Sequence, residues 1–272
     1  MRGNVLLRYS LPLLIVLPIG FLFLYPQLIQ CIRVSQSANF RPLTGMPTVY
    51  VHQAATSQQH KQLRQHVRTA QLRIKRFWGA QRGGAILIYC PQQADYEQYC
   101  AGGEGAGCSL GMPWGDSYLV LGPDGNNADV IAHELCHDEL FTRLGWWRVK
   151  RQIPQWFNEG LALMVDYRFS NPTIWEHPDS SSRNRSEWPE TRSMHIRPRP
   201  MLKLSELETT HDFFGNNPTH TMLAYQTAAD EVARWLAKVG RAGVPALSNA
   251  IANGNDFSNV YHRLEREKKS RL

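Results

Sequence analysis

His133-Glu134-Leu135-Cys136-His137 is the stretch whose residue types and spacing are suited to chemistry. At about 100° per helical residue, His133 and His137 project within about 40° of one another, so both imidazoles can hold one ion. Glu134 lies about 100° from His133, on the flank of that face, where its carboxylate can reach a water on the same ion. Metal-assisted hydrolysis needs these parts: neutral nitrogen donors, an open position on the ion, and a base that is not itself a ligand. Zn2+ suits such donors. The five-residue pattern is short enough to arise by chance, so its surroundings decide its meaning.

Those surroundings read as a helix. Asn126-Asn127-Ala128-Asp129 precedes an apolar-periodic run (Val130, Ile131, Leu135, Leu140, Phe141) that ends at Gly145. Asn127 or Asp129 suits the N-cap and Gly145 the C-cap, which predicts a helix of about four turns. Cys136 points away from the two histidines and reads as a core thiol. A third histidine in the pattern HExxHxxGxxH is excluded, because Leu140 and Arg143 occupy its last two fixed positions. Another class of zinc hydrolases takes a Glu from a second helix about twenty residues downstream, where this chain has Glu159 in Ile153-Pro154-Gln155-Trp156-Phe157-Asn158-Glu159-Gly160-Leu161-Ala162. Pro154 suits a helix start, and Trp156, Phe157, Leu161, Ala162 and Val165 supply an apolar face. A surface glutamate near a helix N-terminus is the competing reading, since the helix dipole favours one there.

HELCH followed by WFNEGLA resembles the gluzincin superfamily of zinc metallopeptidases, and most of all the small bacterial peptidase MA-like domains. The specific motifs are confined to 133–137 and 156–162, within an organisation that covers roughly 47–265. The resemblance implies an α+β, thermolysin-like fold with an N-terminal mixed β-sheet subdomain, an HExxH active-site helix and an all-helical C-terminal half. It implies Zn2+ held by His133, His137 and Glu159, with Glu134 as general base in peptide-bond hydrolysis. Tyr225, in Leu223-Ala224-Tyr225-Gln226, is the implied oxyanion donor, although a tyrosine opening a core helix is commonly only packed there. Members often carry an Asp four residues after the ligand Glu; here that position is Leu163, so the support for the histidines is not assigned. Aminopeptidase relatives carry a Gly-x-Met-Glu-Asn segment, which Gly111-Met112-Pro113-Trp114 matches poorly. Endopeptidase action on a peptide or protein is therefore expected, with a catalytically silent binding or scaffold protein as the alternative.

The elements that must position these residues follow from patterning. Strands are expected at 48–54, 85–90 and 117–121, and helices at 58–79, 94–101, 204–207, 221–239, 244–252 and 256–267. The strand at 117–121 is either a sheet edge that lines the cleft and accepts an extended peptide, or an ordinary core strand. The glycine-rich loop 102–114 is expected to overhang the cleft. The irregular stretch 167–200 reads as a lid or a surface insertion.

Length and charge set outer bounds. The chain has 272 residues, a net charge of +7 and a mean hydropathy of −0.39. Residues 9–32 carry no charge, and Arg2 and Arg8 precede them. That length predicts one transmembrane helix, an uncleaved signal-anchor within 1–32. A linker at 33–46 and a peptidase-like domain at 47–268 are expected to follow it. The domain is placed outside the cytoplasm at the cell membrane. Basic residues are scattered without interleaved aromatics, so nucleic acid is not an expected partner. Of five cysteines, Cys90, Cys100 and Cys108 lie close in sequence, and one disulfide is expected among them with its pairing open.

Overall fold

The computed structural model describes residues 20, 25–100, 105–113, 115, 117–171, 175, 201–215 and 217–269. Its centre is a five-stranded sheet of order β1-β2-β3-β5-β4: β1 (Phe40–Leu43), β2 (Met46–His52), β3 (Ile86–Tyr89), β4 (Gly107–Gly111) and β5 (Ser117–Leu121). β2, β3 and β5 run parallel, while β1 and β4 pair antiparallel at the two edges. β5 is buried along its whole length and, apart from Ser117 at its start, has no residue suited to face water, as an interior strand between two helical layers should be. Leu119 and Leu121 join the core shared with α2 (Ser57–Trp78) and α4 (Ala128–Leu144). Tyr118 and Val120 face the opposite cluster, with residues of α1 (Pro26–Ile32) and α3 (Gln93–Tyr99).

The two long helices beside the sheet start and stop where their caps dictate. Thr56 and Gln59 cap α2 reciprocally, and Gly79 ends it at a φ of 80°. Leu63, Val67, Ala70, Ile74 and Phe77 give that helix its buried stripe. Asn127 is the N-cap of α4, its side chain accepting from Asp129 N at 2.7 Å, and Gly145 closes the other end. After α5 (Trp146–Gln152) and α6 (Gln155–Val165), every described element is helical: a 3-10 turn at Leu204–Glu206, then α7 (Thr210–Phe214), α8 (Pro218–Val239), α9 (Gly243–Ala252) and α10 (Phe257–Lys269). The α+β class and the helical second half agree with the sequence reading.

One open alternative is decided and two expectations come out differently. First, the strand at 117–121 is the ordinary core strand of its two readings and not an edge, because β5 pairs with β3 on one side and β4 on the other. The edge is β4, inside the stretch expected to be a loop. Second, no helix among the described residues is long and apolar enough to cross a membrane. Residues 1–19 and 21–24, where most of the expected transmembrane segment falls, lie outside the described residues. Its last part is α1, a seven-residue helix that buries Leu28 and Cys31 against the domain. Third, residues 33–46, expected as a linker, contain a 3-10 turn at Val34–Gln36 and strand β1. Of the expected lid, residues 172–174 and 176–200 lie outside the described residues. Trp175 is buried on Phe77, and its indole N–H donates to Met164 O.

Candidate metal centre

Helices α4 and α6 pack against each other and bring His133, His137 and Glu159 together. His133 Nε2 lies 3.5 Å and His137 Nε2 3.7 Å from Glu159 Oε2. A tetrahedron with ligand bonds of about 2.1 Å has edges of about 3.4 Å, so these two spacings match the two edges that Glu159 Oε2 would share with the histidines in a four-coordinate site, and all three donors lie within 4.8 Å of one another. The group can hold a metal ion.

The atoms behind the donors fix which atoms face the ion. Asn158 Oδ1 lies 2.9 Å from His137 Nδ1, and a proton on that nitrogen leaves Nε2 as the free donor. Gln155 Nε2 donates to Glu159 Oε1 at 2.7 Å, which turns Oε2 toward the histidines. On the far side of His133, Asp166 Oδ2 stands 3.8 Å from Nδ1. Asp166 is fully buried and is gripped by Arg168 through two contacts of 2.9 and 2.6 Å. His133 Nδ1 makes no hydrogen bond among the described residues, so this carboxylate is the group positioned to orient the ring.

Electrostatics also favour a cation. Glu134, Glu159 and Asp166 are all buried, with Arg168 as the nearby counter-charge. Burial pushes the Glu134 carboxyl up to about 7, His137 opposes the rise, and Glu159 and Asp166 add to it. Burial works against Glu159 as well, but His137, His133 and Gln155 outweigh it and hold its pKa below the ordinary value.

Glu134 sits under the edge strand. A side chain at Gly107 on β4 would start 3.3 Å from Glu134 Oε1 and 3.2 Å from Val130 Cγ1, so a bare glycine lets the strand cross at this height. The disulfide Cys100–Cys108 ties the end of α3 to the same strand, which resolves the pairing left open in the sequence. Cys31, Cys90 and Cys136 are free and buried.

The opposite flank of α4 anchors it to the sheet. Asp138 accepts from Ser117 Oγ on β5 and from Ala85 N. Glu139 accepts from Arg82 N and Gly83 N at 2.6 and 2.7 Å, and pairs with Arg143 Nε at 2.7 Å.

Tyr225 is the eighth residue of α8 and not at a helix start, because Asn217 caps that helix and it begins three residues before the expected 221. Its ring packs edge-on against Phe213 at 5.1 Å. Burial raises its pKa, and the carboxylates of Glu159, Glu134 and Asp166 raise it further, which sets it near the site. Its hydroxyl makes no hydrogen bond among the described residues. Asn158, Gln155 and Asp166 are the supporting residues that the sequence reading did not find. Asp166 is seven residues after Glu159, at the C-cap of α6 and already out of helical geometry. No protein-family model matches this sequence, and no curated protein is similar to it.

Proposed function

We propose that this chain is a zinc-dependent peptidase acting within peptide chains. The observation that carries the reading is the convergence of His133, His137 and Glu159 on one point, with the buried, non-ligating Glu134 beside it. Bound there, zinc supplies Lewis acidity toward a water and a carbonyl oxygen. Glu134, buried and outside the ligand set, takes the proton of the attacking water and passes it to the leaving amine. The Tyr225 hydroxyl donates to the developing oxyanion. Among the described residues β4 pairs only with β5, and an extended substrate adds to its other edge through main-chain hydrogen bonds beside Glu134.

Membrane attachment is the second part of the proposal and rests on sequence alone. With α1 built into the domain, the uncharged run left for an anchor is residues 9–24. That is short of the roughly 20 residues of an ideal span, so an anchor there needs Arg8 to reach back to the headgroups.

The test of the enzymatic reading is cleavage of a peptide library by the zinc-loaded protein. Activity should disappear on chelation and return with one equivalent of zinc. A protein that binds zinc tightly and cleaves nothing above the blank is instead the metal-holding scaffold.

A further inference from the structure

Strand β4 lies close against α4, and its sequence Gly107-Cys108-Ser109-Leu110-Gly111 permits this. Alternate residues of a strand share a face. A side chain at Gly107 would start 3.2 Å from Val130 Cγ1 and 3.3 Å from Glu134 Cγ, and one at Gly111 would start 3.1 Å from the Phe141 ring. Both glycines therefore face α4. Cys108 and Leu110 pack on the opposite cluster. Ser109 is in phase with the two glycines and turned toward α4, and its register partner Leu119 belongs to the core on that side.

The Ser109 hydroxyl is shut off from solvent and has no hydrogen-bond partner among the described residues. A buried donor left unpaired is costly, so such a group calls for a partner. Between Val130 under Gly107 and Phe141 under Gly111, the face of α4 toward β4 carries Glu134, His137 and Asp138. Two of these are already engaged. His137 holds Asn158 through Nδ1 and turns Nε2 toward Glu159. Asp138 accepts from Ser117 Oγ and Ala85 N. Glu134 is buried and makes no hydrogen bond among the described residues. Two unpartnered polar groups thus remain on facing surfaces. The Cβ positions of residues 107 and 109 are about 7 Å apart along the strand. The Glu134 carboxylate, now beside Gly107, covers that span by turning about its side-chain torsions.

We propose that Ser109 is a positioning residue for the general base: its hydroxyl donates to the Glu134 carboxylate and holds it from the β4 side. The strand offered to the substrate then also aims the base. The inference rests on the peptidase reading of the metal centre.

The test begins with zinc-loaded Ser109→Ala on a peptide that the wild type cleaves. KM and zinc affinity should stay within about twofold of wild type while kcat falls about tenfold, the scale of one hydrogen bond to a charged group. Ser109→Thr, which keeps the hydroxyl, should recover most of the loss. A second measurement needs no turnover: a double-mutant cycle of Ser109→Ala and Glu134→Ala, read in urea unfolding of the full chain. The combined effect on the unfolding equilibrium constant should fall short of the product of the two single effects by about tenfold. Single effects that simply multiply, or an unchanged kcat in Ser109→Ala, overturn the proposal, and cleavage by the wild type then leaves the peptidase reading standing. Coupling in a protein that cleaves nothing overturns the peptidase reading and keeps the contact between Ser109 and Glu134.

Discussion

His133 and His137 make unequal demands on their surroundings. The His137 ring is fixed by Asn158 at 2.9 Å, whereas His133 Nδ1 faces a carboxylate at 3.8 Å and has no hydrogen bond among the described residues. Supporting groups of this kind typically hold one to two orders of magnitude in metal affinity. Asn158→Ala and Asp166→Asn should each weaken zinc binding about 10- to 100-fold in a competition titration with a chromophoric chelator, with the fold retained by circular dichroism. Unchanged affinity in both would mean that the rings are held by packing alone. The two histidines and Glu134 were legible because a helical repeat turns sequence spacing into direction, and Glu159, on a second helix, came from the resemblance. Asp166 was not, because it lies beyond the last turn of α6, where the chain is leaving the helix and direction no longer follows from count.

At the scale of elements, the site depends on how closely helices approach. Gly160 follows the ligand Glu159, and a side chain there would start 2.5 Å from Val232 Cγ2 and 2.7 Å from Ala228 O on α8. Backbone cannot yield as a flexible side chain can. Gly160→Ala should therefore destabilise the fold by about 1–3 kcal/mol in denaturant unfolding, more than any helix-propensity gain restores. The Cys100–Cys108 bridge closes a short loop of eight-residue separation, which corresponds to about 2.5 kcal/mol of unfolded-state entropy. Replacing both cysteines by serine should lower stability by that order, and reducing agent should lower the wild type to the same level. The long capped helices α2 and α4 could be read from their apolar stripes and caps. Strands β1 and β4 could not. Each is four or five residues with Pro or Gly in it, and each is a strand only because its neighbour supplies the hydrogen bonds. The interior position of β5 was legible in principle, since Tyr118–Leu121 has no polar residue to face water.

For the whole molecule, the three donors come from two helices that belong to different layers of packing. α4 is held to the sheet through Asp138 and Glu139, and α6 is held to the helical half through α8. An ion bound between α4 and α6 therefore links the sheet to the helices, and the native state alone brings its ligands together. At a thousandfold excess over Kd, such binding contributes about 4 kcal/mol. For a domain of this size that corresponds to a rise in Tm of about 8–16 °C, and calorimetry with zinc and with chelator should show it. A Tm indifferent to zinc would mean that the cluster does not bridge the two halves. The most direct test of the central claim is the kcat/KM for peptide hydrolysis by zinc-loaded Glu134→Gln beside the wild type. A loss of at least about 100-fold with unchanged zinc stoichiometry is predicted. Equal rates in the two proteins would contradict the account.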